Sequence, residues 1–182
     1  AFSDQWGDER AGREFNNWIW HFSHAGFTTT SEMGAAPGWP IRYDAAIRRS
    51  GLPTRLFGYE FVGMDGALSV PRDNGDDRFR MIGAKVFGDG SLFAGNIWLS
   101  QPYLTNQVTL KNLGLPKDFT GHMNYASDEL RTLVMNSAAN GWQVSTHAQG
   151  DRTVEAVLDV YEEALAAYPD ACRPFRLEHC GM

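Results

Sequence analysis

The chain has 182 residues, of which 43% are hydrophobic and 21% charged, with a formal net charge of −6. That length suits one sizeable core and is short for two full domains, and the composition excludes disordered and fibrous architectures. The acidic balance argues against nucleic acid or an anionic membrane surface as the main partner, and no apolar run approaches the ~20 residues of a membrane span.

The first six residues form no basic or apolar leader and include no initiator Met, so they read as mid-protein sequence. Two cysteines, Cys172 and Cys180, supply neither a disulfide framework nor a metal clip. The default is a single reduced, cytoplasmic enzyme domain over residues 1–182, or part of one.

Phe15, Trp18, Ile19 and Phe22 fall at i, i+3, i+4 and i+7, which predicts a helix ending at Gly26. Residues 27–30 are rich in threonine and predict a short strand. A second helix is expected over 43–50, closed by Gly51 and Pro53, then a strand over 54–62. Another strand is expected over 79–87, behind the charged turn at 72–77. Residues 88–126 carry many turn formers and little periodicity, and a loop of that length is usually functional or a lid. Ser127 is the expected N-cap of a helix with Leu130, Leu133 and Val134 on its apolar stripe, and Gly141 follows it. A strand over 142–146 comes next. Asp151 is then the expected N-cap of a helix striped by Val154, Val157, Leu158, Tyr161 and Leu165, with Pro169 as its stop. Residues 174–179 form the last strand. Strand–helix alternation at this spacing means parallel β/α units. A complete (β/α)8 barrel takes about 250 residues, so the chain reads as a partial TIM barrel.

In such folds ligands gather at the C-terminal strand ends, where this chain places Lys85, His147 and His179. Each histidine is either a hydrogen-bonded core residue or one of two imidazoles converging on an ion. Lys85 lies inside an apolar strand. It either pairs with an acid such as Asp89 or loses its charge and becomes a neutral amine able to accept CO2 as a carbamate. His21 and His24 are expected on an exposed helix face, and His122 in a solvated loop. Cys180 is expected as a small packed thiol. Glu178 is placed to orient its neighbours. The loop aromatics Phe93, Trp98, Tyr103, Phe119 and Tyr125 either wall a substrate pocket or pack a lid.

The segment Lys85-Val86-Phe87-Gly88-Asp89-Gly90-Ser91-Leu92 resembles the strand-four motif of the metal-dependent amidohydrolases, in their YtcJ-like branch (amidohydrolase family 3). His147-Ala148-Gln149-Gly150-Asp151-Arg152 is similar to that branch's strand-five motif, and Arg176-Leu177-Glu178-His179 to its strand-six motif. Gly26-Phe27-Thr28-Thr29-Thr30 resembles its strand-two signature. The four motifs stand in family order and cover nearly the whole chain.

This resemblance implies a TIM-barrel hydrolase with one or two divalent ions, usually zinc, that cleaves non-peptide C–N bonds by metal-activated water. The substrates implied are small N-acyl, formamide or carbamate-like amides. By position His147 and His179 match metal-binding histidines, and Lys85 matches the lysine carbamylated in dinuclear relatives. The family's strand-one His-x-His pair and the strand-eight Asp, its general base, have no counterpart here. The chain is therefore expected to cover about strands two to six. The chain on its own is expected to be inactive and to self-associate, and the alternative expectation is a non-catalytic barrel fragment. A nucleotide-binding reading fails because no Gly-rich phosphate loop follows a strand.

Overall fold

The computed structural model describes residues 8–51, 53–72, 74–169 and 174–182. Five parallel strands form one sheet in sequential order, β1 (Thr29–Ala35), β2 (Arg55–Phe61), β3 (Phe79–Phe87), β4 (Gln143–Ala148) and β5 (Arg176–His179). The helices are α1 (Asp8–His24), α2 (Trp39–Ser50), α3 (Ser127–Ala139) and α4 (Asp151–Ala167). This is the α/β arrangement of a partial TIM-type barrel. Among the described residues no helix is long and apolar enough to cross a membrane.

Chain packing divides the molecule into two units, Ala1–Phe61 with Leu68–Gly83 and Val62–Ala67 with Ala84–Met182. The core of the first unit gathers Ile19, Ile47, Leu56, Val70, Phe79 and Met81, with Phe15, Trp18 and Tyr43 against it. The apolar stripe of α1 therefore does what its spacing predicts, and Phe15 stacks on Tyr43 of α2 at 4.7 Å between ring centres. His21 and His24 stay exposed, as expected of the opposite face.

In the second unit α3 and α4 cover one face of β3 and β4 through Leu130, Val134, Val157, Ala164, Val144, Ala148 and Val86. Each fully buried Val or Leu here contributes about 2 kcal/mol. The Tyr161 hydroxyl of α4 donates to the Arg176 carbonyl at 2.9 Å and accepts from the Thr146 hydroxyl at 2.7 Å, pinning β4 and β5 to the helix layer.

Several boundaries differ from expectation. β1 begins at Thr29 and continues to Ala35 instead of ending at Thr30, because pairing with β2 carries the polar run Ser31–Glu32 along with it. α2 begins at Trp39 because Pro40 is tolerated in a first turn, where its missing N–H has no helical partner to lose. Ser127 and Asp151 are the first residues of their helices; Ala126 and Gly150 occupy the cap positions. Glu129 completes the start of α3 by accepting the Ala126 N–H at 2.9 Å.

Candidate active site

Period-two alternation sorts the strand residues of the second unit by face. On β3, Val86 packs into the helix-covered cluster, so Lys85 and Phe87 occupy the other face. On β4, Val144 and Ala148 join that cluster, which leaves Ser145 and His147 beside Lys85. The β4–β5 register pairs Ser145 with Arg176 and His147 with Glu178, so these two charged residues share that face as well.

Strict alternation would then send His179 to the helix side. It does not go there. His179 has φ +82° and Cys180 has φ +48°, so the chain leaves extended geometry at the end of β5. The His179 ring meets that of His147 edge-on, with ring centres 4.5 Å apart. A non-glycine residue in this conformation stores strain, a feature that clusters at functional sites.

Lys85 is buried, at 4% exposure, and its ammonium lies 5.3 Å from the Phe87 ring centre. Burial pushes its pKa down, Glu178 pulls it up, and Arg176 pushes it down again. The acid acting on Lys85 is therefore Glu178, in place of the expected Asp89. Glu178 itself accepts from Ser145 Oγ at 2.9 Å and pairs with Arg176 Nε at 3.0 Å.

Asp89 has a different task. It is completely buried and accepts three backbone N–H bonds, from Trp98 at 3.3 Å, Gln149 at 3.0 Å and Gly150 at 2.8 Å. One carboxylate thus ties the segment after β3 to the turn after β4. Gly150 is required at this turn because a Cβ there would collide with the Trp98 carbonyl. Further ties close the same end of the sheet. Gly88 N–H donates to the His147 carbonyl at 2.8 Å and Cys180 N–H to the Ala148 carbonyl at 3.1 Å. The Asn124 amide donates to the carbonyls of Phe87 and Asp89.

His147 is buried, and its Nε2 lies 2.5 Å from the Gly90 carbonyl and 3.6 Å from Asp89 Oδ1. A carbonyl only accepts, so Nε2 carries the hydrogen; in the neutral ring Nδ1 then holds the lone pair. Burial pushes the His147 pKa down and the Gly90 bond pulls it up; His179 and Lys85 add to the lowering. A neutral imidazole with a lone pair, beside a second imidazole and a lysine pushed toward its neutral form, is a nitrogen donor set suited to a borderline cation such as zinc. To that extent the residues fit a divalent ion. Among the described residues, however, no three His, Cys, Asp or Glu side chains gather to hold a metal.

Three expectations fall elsewhere. His122 is exposed beside Phe119, as expected of a solvated loop residue. Cys180 is free and exposed instead of packed, because the turn at the end of β5 carries it outward. Cys172 lies outside the described residues. Asp89 was named in the sequence only as a counter-charge; its anchoring role went unseen because its partners stand 9 to 61 residues away. Ser145 and Asn124 gave no signal at all.

Comparison with known proteins shows the family and the fold of the chain. The sequence model of a family described as the amidohydrolase family matches residues 7–182. The chain is similar to Protein LONG AFTER FAR-RED 3 of Arabidopsis thaliana, 34% identical over 97 residues, covering 53% of this chain and 15% of that protein. Its fold is similar to the crystal structure of an uncharacterized metal-dependent hydrolase from Pyrococcus furiosus, with a TM-score of 0.72 and 24% identity over 88% of this chain and 32% of that one. A second such structure, from Pyrococcus horikoshii OT3, gives a TM-score of 0.66 at 23% identity over 84% of this chain and 31% of that one. The chain thus spans about a third of the length of these solved relatives and less of the plant protein.

Proposed function

Because the chain belongs to the amidohydrolase family, we propose that it carries part of the active site of a metal-dependent hydrolase acting on non-peptide C–N bonds. The substrates proposed are small N-acyl, formamide or carbamate-like amides. The observation that carries this reading is the contact of the His147 and His179 rings at the ends of β4 and β5, on the face that holds the buried Lys85 of β3. Lys85, His147 and His179 would hold a divalent ion, zinc by the nitrogen character of the donors. Such an ion polarises the scissile carbonyl and lowers the pKa of water to about 7.

The chain's own groups prepare for this. The Gly90 carbonyl fixes the His147 tautomer, and a carbonyl partner of this kind orients a ligating ring. Glu178, held by Ser145 and its ion pair with Arg176, keeps an acid near Lys85. With its amine neutral, Lys85 can attack the carbon of CO2 through Nζ. The new N–C bond forms as one C=O π pair of CO2 moves onto oxygen and one amine proton passes to water, and the product is an anionic oxygen donor. The proton acceptor for hydrolysis is an aspartate that these residues do not supply.

The test is metal content together with turnover of N-acyl and formamide substrates by the purified chain. Bound zinc that is lost on His147→Ala and His179→Ala supports the reading; metal content equal in wild type and both variants overturns it. A second reading, a chain that holds no metal alone and associates with its own copies, draws support from the missing third His, Cys, Asp or Glu ligand among the described residues. Sedimentation separates the two, since a monodisperse zinc-loaded monomer that turns over excludes the second.

A further inference from the structure

The segment between β3 and α3, unassigned by the mechanism above, forms most of the wall of an open cavity of about 690 Å³. That size falls inside the range of small-molecule sites, about 300–1,000 Å³. Its walls are apolar: Leu99, Pro102, Tyr103, Leu104, Val108 and Leu113. Of the loop aromatics named from the sequence, only Tyr103 among the described residues lines it. The Tyr103 hydroxyl donates to the Ile97 carbonyl and accepts the Ile97 N–H, so the ring turns its apolar surface to the space. Leu104 and Val108 are 78% and 55% exposed, an arrangement that costs hydration free energy unless something apolar covers them.

Three lining residues follow the groups of the candidate active site closely in the chain. The remaining wall of the cavity includes Leu92, Asp151 and Met182. Leu92 stands two residues after Gly90, Asp151 four after His147, and Met182 three after His179. At a maximum of about 3.5 Å per residue, each wall residue lies within roughly 14 Å of the group it follows. The Met182 N–H also donates to the Gln149 carbonyl at 3.2 Å, in the turn that Asp89 anchors. Asp151 is the one carboxylate among the described lining residues and already accepts the Ser100 N–H at 2.8 Å; no lysine or arginine lines the walls, and Arg152, next in the chain, lies over the Trp98 ring at 5.8 Å.

We propose that this cavity receives the apolar arm of the substrate, an unbranched alkyl or simple aryl group carrying no negative charge. The ligand's other end, an amide or formamide, rests on the hydrolase reading; the cavity itself does not. An anionic arm is rejected because nothing cationic lines the walls and Asp151 repels it. A neutral arm gains by burying CH2 groups, each of which tightens binding roughly fourfold.

The experiment is calorimetric titration of the full chain with N-alkylformamides from ethyl to octyl, and with alkanoates of the same lengths. The expected result is an affinity rising about fourfold per added CH2 until the cavity is full, with alkanoates at least tenfold weaker. Leu104→Asp and Val108→Asp should each weaken octylformamide at least tenfold, and Leu104→Ala about fivefold. Both positions are exposed, and circular dichroism checks that the variants fold. His147→Ala should abolish zinc retention and leave the length dependence in place, so failure of the hydrolase reading is distinguishable from failure of this one. Affinity independent of chain length, absence of binding across the series, or variants that match wild type would overturn the proposal.

Discussion

The two units treat buried charge in opposite ways. The first buries Glu60, at 1% exposure, and answers it nearby: Ser69 donates its N–H at 3.1 Å and its hydroxyl at 2.8 Å. Burial pushes the Glu60 pKa up and Ser69 pulls it back. The rest of that core is aliphatic and aromatic. In the second unit three ionisable groups lie within a few residues of the strand ends, Lys85, Asp89 and His147, and their partners come from distant segments. The acid receives three N–H donors while both bases are pushed toward neutrality. One carboxylate with one serine is a structural solution. Two buried bases pushed toward neutrality beside a strained third residue cost stability without improving packing, which is the pattern of a site kept for chemistry.

The largest expected effect breaks this contrast at its centre. His147→Ala should reduce zinc affinity by on the order of 100-fold or more, since loss of even an outer partner costs about 10–100-fold. Glu60→Gln should leave it unchanged. Metal analysis after dialysis against a weak chelator reads both variants, and equal retention would erase the distinction between the units.

Next in size is stability. Asp89→Ala strands three buried N–H donors at about 1–3 kcal/mol each, so the chain should lose about 4 kcal/mol, measured by urea unfolding. Ser69→Ala removes one hydroxyl from Glu60 and should cost about 1 kcal/mol. Comparable losses would mean that Asp89 is no more an anchor than Ser69.

How much of this was legible in the sequence follows the range of the interactions involved. β3 was readable end to end because an apolar run behind a charged turn is a local signal. The start of α2 was missed by four residues because the residues before Tyr43 lack the stripe, although Pro40 at a first turn was there to be read. Ser127 and Asp151 look like caps, and Asp151 turns out to bond Ser100, 51 residues earlier. The motif residues Lys85, His147 and His179 were visible at strand ends. The reversal of His179 was not, because alternation predicts the opposite face and only the coordinates record the positive φ. The anchoring by Asp89 and the apolar cavity arise from segments far apart in the chain, where no periodicity reaches.

The smallest expected effect is a split in acid sensitivity. In the first unit Asp76 accepts the Arg78 N–H, the Arg48 guanidinium and the Phe79 N–H, which hold its pKa at about 2 against an ordinary 3.8. The unfolded carboxylate takes up its proton first as pH falls, so this stabilisation is complete above 3.8 and lost as pH falls through about 2. In the second unit burial pushes His147 below its ordinary 6.5, and in metal-free protein the unfolded ring again binds the proton first. Stability therefore declines as pH falls below 6.5, well before Asp76 contributes. His147→Gln should flatten the upper part of a stability–pH curve and leave the acid limb; Asp76→Asn should do the reverse. Urea midpoints collected from pH 7 to pH 2 separate the two limbs. A single limb that responds equally to both substitutions would show that the two units do not carry their charge separately.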